Sequence, residues 1–211
     1  VYGLLSGFSV APISIFVPLC YVGGVLFPYP IGWMSDRIDR RRLIVMVCAM
    51  GVGACLLAIL GGAIIGPLAP LLAMLLVGGA VSPLYSLAVA HTNDYLQPDD
   101  MASASAGLMF LNGAGAVGGP LAVGFLMDAI GAYAYFGFIG TLLGLIMLYG
   151  LYRMTKRPAV PAEETNPFAA ILPSASSVAM EITQEVVADR AAEEAADAEE
   201  AALAEAAEAA N

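Results

Sequence analysis

Charged residues are scarce in most of this sequence. Only 12% of the 211 residues are charged, whereas an ordinary soluble domain carries roughly 25%. Asp, Glu, Lys and Arg are absent from residues 43–93, 101–127 and 129–152. This composition argues against a soluble globular enzyme. Each gap is also long enough to cross a bilayer, which takes about 20 apolar residues in a helix.

Residues that build catalytic and metal sites are equally few. The sequence has one histidine and three cysteines, Cys20, Cys48 and Cys55, which form no C-x-x-C pair. Neither a zinc site nor a disulfide framework is indicated. The predicted spans contain no Glu and no H-x-x-x-H, which disfavours an intramembrane enzyme. We therefore expect no cofactor, no metal and no nucleic-acid partner.

Long apolar segments take the place of those features. We expect five membrane-spanning helices, because alternating polarity, the mark of a membrane barrel, is missing. The charge-free run of 51 residues holds two of them, separated between Gly61 and Pro70. The predicted spans are residues 10–33, 43–60, 68–90, 101–127 and 133–152. The predicted fold class is all-α, a polytopic helix bundle over residues 1–157.

The acidity of the sequence belongs to its C-terminal segment. Residues 1–158 hold seven basic and six acidic residues, while residues 159–211 hold one Arg and twelve acids. Ala, Glu and Pro dominate residues 158–211, so this tail is expected to be disordered or partly helical. A tail of this kind suits recruitment of a partner protein.

Basic residues in the connections predict the orientation. One cluster is Arg37, Arg40, Arg41 and Arg42, and the other is Arg153, Lys156 and Arg157. Four spans separate the clusters, so both lie on one face. The cytoplasmic connections of membrane proteins carry an excess of Lys and Arg. We therefore expect that face and the C-terminus in the cytoplasm, and the protein in the inner (plasma) membrane.

Two segments of the sequence repeat each other at an offset of 92 residues. Residues 19–38 and 111–130 share seven identities in twenty positions, among them Gly23 with Gly115 and Asp36 with Asp128. The first span maps onto the fourth, so the unit is three helices and the copies face opposite ways. Inverted repeats of this kind occur in secondary transporters. The counterpart of the third span would precede Val1, and residues 1–6 would be its end. The alternative is that Gly and Pro recur by chance in membrane helices.

The loop after the first span carries a family motif. Its sequence from Gly32 to Arg42 is GWMSDRIDRRR, which resembles the cytoplasmic signature G-x-x-x-D-R-x-x-R-R of the major facilitator superfamily. The resemblance covers about residues 1–157 and implies a transporter built from two six-helix halves. It makes this chain the C-terminal half, five spans plus the end of a sixth, with the N-terminal half as its missing partner.

The resemblance also implies a gating role for five residues of the loop: Gly32, Asp36, Arg37, Arg40 and Arg41. Asp36 is placed to pair with Arg40 or with the N-terminal end of a helix in the opposite half, a contact made in the outward-open state only. The alternative is that the arginines anchor the loop to anionic lipid and fix topology. Asp39 departs from the family pattern and adds an acid that competes with Asp36 for Arg40.

Three polar residues in the spans are candidates for a substrate pathway. Asn112 lies near the middle of the fourth span, where an amide needs a partner or a water-filled cavity. Tyr21 lies midway along the first span and Tyr85 follows Pro83 in the third. By resemblance these three spans line the central cavity, and the second and fifth face lipid. The alternatives are an interhelical hydrogen bond for Asn112 and packing or interface anchoring for the tyrosines.

His91 and Asp94 end the third span. His91 is the sole histidine, and its near-neutral pKa suits a proton carrier or a pH-sensitive gate. The alternative is a helix end wetted by the cytoplasm. The sequence HTND with the following QPDDM also resembles the YcaD-like branch of the superfamily, whose substrates are unassigned.

Two functions follow from these patterns. The first is secondary active transport of a small solute by alternating access, which we expect to be coupled to protons. The second is a membrane-embedded interaction or sensor subunit that moves nothing and acts through its acidic tail. Removal of residues 158–211 would leave flux intact in the first case and abolish function in the second.

Overall fold

The computed structural model describes residues 2–35, 37–93 and 98–156, and of residues 63, 93 and 98–102 only the backbone. The predicted tail lies outside these residues. The described part is helical, in the order α1 (Tyr2–Leu5), α2 (Val10–Leu26), α3 (Pro28–Ser35), α4 (Arg40–Ile65), α5 (Leu68–Asn93), α6 (Pro98–Ile130) and α7 (Ala134–Met154).

Five of these segments are long and apolar enough to cross a membrane, with α2 and α3 together forming the first (Val10–Ser35). The predicted all-α membrane bundle is confirmed. The helices run beyond the predicted spans at several ends. The largest difference is α4, which continues through Gly61 and Gly62 to Ile65. The break comes at Gly66, within the predicted interval from Gly61 to Pro70, and its φ of 58° is open to glycine at no steric cost.

Pro28 divides the first span. It has no N–H, so the carbonyl oxygen of Gly24 lacks its donor four residues later. The hydroxyl of Ser82 on α5 donates to that oxygen at 3.2 Å. The hydrogen bonds from Phe27 N–H to Gly23 O and from Ile31 N–H to Phe27 O, both 3.1 Å, keep α3 continuous with α2.

Helices α2 and α5 pack with their backbones in direct contact. A Cβ at Gly23 would overlap the carbonyl oxygen of Leu75, and a Cβ at Gly78 would overlap that of Cys20. Small residues permit such close crossings. Helix α5 also packs against α4, and α4 packs against α7, which makes α2, α5, α4 and α7 one connected layer.

Helix α6 is different, because none of its most apolar 18 residues is buried within the described part of the chain. It meets its neighbours mainly at its ends, where Met127 joins a core with Ala58, Val77 and Phe136. The two repeated segments therefore have different surroundings: residues 19–38 lie on α2 and α3, and residues 111–130 lie on α6. Helix α2 packs on α5.

The two ends of the bundle differ in chemistry. The basic end holds the junction of α3 with α4, the end of α5 and the end of α7 with Arg153 and Lys156. The opposite end holds the starts of α2, α5 and α7 and the end of α6. A contact shows that the end of α7 lies beside the start of α4, since a Cβ at Gly150 of α7 would lie 3.0 Å from the side chain of Val45.

Candidate functional site

Arg40 links three helices at the basic end of the bundle. It opens α4 yet is only 3% exposed. Its Nε donates to the hydroxyl of Ser35 at 3.3 Å, and its NH1 group donates to the carbonyl oxygen of Ala90 at 3.4 Å. One guanidinium thus joins the end of α3, the start of α4 and the last turns of α5. A buried charge with these partners is costly to leave unpaired.

Asp39 caps α4. Its Oδ1 accepts a hydrogen bond from the backbone N–H of Arg41 at 2.9 Å. Asp is among the preferred N-cap residues, because its carboxylate satisfies an amide that has no partner within the helix. This cap gives Asp39 a structural role beside its predicted competition for Arg40. The side chain of Arg41 is 8% exposed.

Arg37 lies on the surface of the loop. Its guanidinium carbon lies 4.0 Å from the centroid of the Trp33 ring, and its NH1 group donates to the carbonyl oxygen of Trp33 at 3.1 Å. The cation–π contact fixes the direction of this side chain. Gly32 is buried one turn earlier in α3. Asp36 lies outside the described residues, so its predicted pairing stays a prediction.

Of the pathway candidates, Tyr85 lies where α5 meets α6. Its ring belongs to a small cluster with Val89 of α5 and Leu108 and Met109 of α6. Its hydroxyl oxygen is buried and has no hydrogen-bond partner among the described residues. A buried hydroxyl without a partner loses the hydration it would have in water. A polar group on a bound molecule would supply the hydrogen bond that the described residues do not give this hydroxyl group.

Asn112 is half-buried on α6, one turn beyond Leu108 and Met109, so the α5–α6 contact brings its helix segment close to Tyr85. The side chain of Tyr21 on α2 is 74% exposed among the described residues. His91 is half-buried in the last turn of α5. Asp94, its predicted companion, lies outside the described residues.

A cluster of aromatic rings that was not predicted from the sequence lies at the opposite end. Tyr2 stacks on Phe16 with centroids 5.3 Å apart and meets Phe136 edge-on at 5.1 Å. Tyr135 meets Phe136 edge-on at 5.1 Å. The run AYAYFGF at residues 132–138 was the signal, because it puts four aromatic residues in seven positions.

A family profile described as Major Facilitator Superfamily matches residues 4–192 of the chain. The chain belongs to the Major Facilitator Superfamily. The match covers all five membrane helices, and it agrees with the loop motif that suggested the family.

Two curated relatives agree with this membership in the Major Facilitator Superfamily. The uncharacterized MFS-type transporter YfkF of Bacillus subtilis is 27% identical over 150 residues, which cover 70% of this chain and 37% of the relative. The uncharacterized MFS-type transporter YE1530 of Yersinia enterocolitica is 27% identical over 179 residues, 81% of this chain and 43% of the relative. The chain therefore spans about two fifths of the length of each relative. No solved structure matches it significantly.

Proposed function

We propose that this chain is the C-terminal half of a secondary active transporter that moves a small solute by alternating access. The observation that carries the proposal is Arg40, which ties the ends of α3 and α5 to the start of α4 at one face of the membrane bundle. Family membership and the similarity to two MFS-type transporters support the transport class.

The gate would work through a difference in contacts between two states. Arg40 and the Asp39 cap fix the start of α4, which follows Asp36 closely in the sequence. An anion there is attracted to the positive N-terminal end of a helix from the other half. If that contact exists in one state only, it biases the equilibrium by about 1–3 kcal/mol.

The exposed face of α6 supports a sixth helix in this half of the proposed transporter. Gly115 of α6 is the repeat counterpart of Gly23, which packs directly on α5. A Cβ at Gly115 meets nothing within 4 Å among the described residues. We propose that a helix encoded upstream of Val1 packs there as α5 packs on α2.

Coupling and orientation are parts of the same proposal. His91 and Asp94 at the basic end are the titratable pair that we propose for proton coupling. The positive-inside rule places that end, and the C-terminus, in the cytoplasm of a cell with this protein in its inner membrane. Tyr85 and Asn112 would meet the solute where α5 and α6 converge, and Tyr21 would line the path from α2.

Asp36→Asn in the complete gene product tests the gate. We expect insertion at the normal level and a solute flux lowered about 5- to 150-fold, the range that a coupling of 1–3 kcal/mol gives. The flux is measured with inverted membrane vesicles that receive a mixture of small solutes and an imposed pH gradient, followed by mass spectrometry of the vesicle contents.

Asp39→Asn is the matched control, because Asn caps a helix as well as Asp does and the charge change is the same. Its flux should stay near the wild-type value. Unchanged flux in Asp36→Asn would remove the gating role. No gradient-driven flux of any solute in the wild type would favour the interaction subunit instead.

A further inference from the structure

Four exposed cations at the basic end of the bundle have no carboxylate partner among the described residues. They are Arg37 in the loop after α3, Arg42 in the first turn of α4, and Arg153 and Lys156 at the end of α7. Their contacts are to neutral groups or to none. We call these four residues the basic surface, because unpaired cations of one sign attract anions to the face that carries them.

Aromatic side chains hold three of these cations without neutralising them. Arg37 lies over the ring of Trp33, and Lys156 lies 5.6 Å from the centroid of the Tyr152 ring. Arg153 donates to the hydroxyl of Tyr149 at 3.1 Å. A cation–π contact orients a cation and leaves its charge in place. The surface is therefore directed outward and still lacks its counter-charge.

The acids whose side chains are described are used elsewhere. Asp39 caps α4 by accepting from the backbone N–H of Arg41. Asp128 lies in the last turn of α6, at the opposite end of the bundle. An anion that neutralises the basic surface must therefore come from outside the described residues.

Helices α4 and α7 bring part of the basic surface to one level. Val45 of α4 and Gly150 of α7 lie side by side. Arg42 comes three residues before Val45, and Arg153 comes three residues after Gly150, so each lies about one turn nearer the basic end. Helix α4 packs against α5 and α7. The helix proposed upstream of Val1 packs on α6 instead, so it leaves the start of α4 open.

The acidic tail of the same chain has the complementary charge. Residues 181–208 hold ten acids and a single base, Arg190. The tail also begins where the surface lies, because the chain leaves the bundle directly after Lys156. Charge and connectivity thus point to one occupant, the segment 181–208.

The intervening chain has a suitable length. Residues 157–180 separate the segment from the bundle, and a flexible chain of that length has an end-to-end distance of about 25–30 Å. The layer of α2, α5, α4 and α7 spans three helix spacings of about 8–10 Å each. The segment can therefore reach every cation of the surface. A tether that matches its span keeps the segment at an effective concentration in the millimolar range, on the order of 1 mM.

An anionic phospholipid is the competing occupant, since basic residues near a membrane surface attract such headgroups. One headgroup offers one phosphate group, whereas the cations of the basic surface are spread over the α3–α4 loop, the start of α4 and the end of α7. The tail offers many carboxylates on one tethered strand, so it can contact all three places at once. This distribution of charge favours the tail.

We propose that residues 181–208 dock on the basic surface of their own chain. The contact is electrostatic, so high salt or a more basic partner would release the tail. The proposal does not depend on transport, and its test measures binding alone.

A fluorescent peptide of residues 181–208 is the probe. Its binding is measured by anisotropy with the complete gene product in nanodiscs of neutral phosphatidylcholine, first without residues 158–211 and then with the tail in place. The tail in place should weaken peptide binding about tenfold, because the tethered segment already occupies the surface. Raising the salt from about 0.1 M to about 1 M shortens the screening length from about 10 Å to about 3 Å, and binding to the tail-free protein should fall at least tenfold.

Substitutions of single charges locate the contact. Arg42→Gln and Lys156→Gln in the tail-free protein should each weaken the peptide about two- to fivefold, the effect of one exposed ion pair. Asp128→Asn is the matched control, because it changes one exposed charge at the opposite end and should leave binding unchanged. Arg190→Gln in the peptide removes its only base and should tighten binding.

A variant with the full tail covers the case in which the tail-free protein does not fold. Five acids of the tail become amides, so the tail keeps its length and loses half of the charge in the segment. This protein should bind the peptide more tightly than the wild type does. The changes are Glu181→Gln, Glu185→Gln, Asp189→Asn, Glu193→Gln and Glu194→Gln.

Three results would overturn the docking. The first is equal peptide binding by the wild type, the amide variant and the tail-free protein. The second is binding that Arg42→Gln and Lys156→Gln leave unchanged. The third is loss of peptide binding when the nanodiscs contain phosphatidylglycerol, which would assign the basic surface to lipid. Normal flux in Asp36→Asn would refute the gate and leave the docking untouched.

Discussion

At the scale of single residues, Arg40 shows how a positive charge can be held at the edge of a membrane bundle. The guanidinium is planar and has five N–H donors, so it can bond Ser35 and Ala90 at once. Lysine has one ammonium group on a flexible stem and would not reach both partners in the same geometry. The half-buried carbonyl oxygen of Ala90 or the buried hydroxyl of Ser35 would then lose a hydrogen bond.

We therefore expect Arg40→Lys to lower the free energy of unfolding by about 1–3 kcal/mol, and Arg42→Lys, at an exposed position, to leave it within about 0.5 kcal/mol. The measurement is a thermal melt with a thiol-reactive fluorophore, because Cys48 and Cys55 are buried and become reactive on unfolding. Equal melting of the two variants would show that the Arg40 contacts contribute nothing to stability.

The sequence predicted that Arg40 and its loop are important, but it did not predict which groups Arg40 and Asp39 contact. The motif pointed to Arg40 because its spacing is local and its residue types are rare in membrane helices. Its partner at Ala90 lies 50 residues away and offers only a backbone carbonyl, which no side-chain pattern reveals. For the same reason the sequence did not predict that the carboxylate of Asp39 accepts a hydrogen bond from the backbone of Arg41.

At the scale of elements, the crossing of α2 and α5 depends on the absence of Cβ atoms. Gly23 faces the carbonyl of Leu75, and Gly79 faces the ring of Phe27 at 2.6 Å from the position a Cβ would take. Hydropathy predicted both helices, because length and apolar composition define a span. It did not predict this crossing, since Gly is common throughout the chain and only the three-dimensional packing separates Gly23 from open positions such as Gly53.

Gly23→Ala tests the crossing. The added methyl group has no room, so the helices must separate, and we expect the variant to lose about 1–3 kcal/mol of stability. The same change at Gly53 should gain up to about 1 kcal/mol, because Ala is the better helix former and nothing lies near its Cβ. The thiol-reactive melt reports both. A Gly23→Ala protein that melts with or above Gly53→Ala would mean that α2 and α5 are not packed backbone to backbone.

At the scale of the whole molecule, the inverted repeat turns the packing of one helix into a prediction for another. Residues 19–38 and 111–130 share their spacing of Gly and Pro, yet Gly23 is buried against α5 while Gly115 meets nothing among the described residues. If the chain is half of a transporter as proposed, Gly115 permits the same close helix packing as Gly23. In the complete gene product its partner would be a helix encoded before Val1.

Gly115→Leu in the complete gene product should therefore be costly. A leucine side chain would push the proposed partner helix away from α6, and we expect a loss of about 1–3 kcal/mol in stability together with a lower yield of folded protein in the membrane. Gly53→Leu has the same change in volume and helix propensity at a position on α4 that would face lipid, so its melting and yield should remain near wild type. Identical behaviour of the two leucine variants would mean that α6 faces lipid or solvent in the complete protein, and the proposed sixth helix of this half would have to be abandoned.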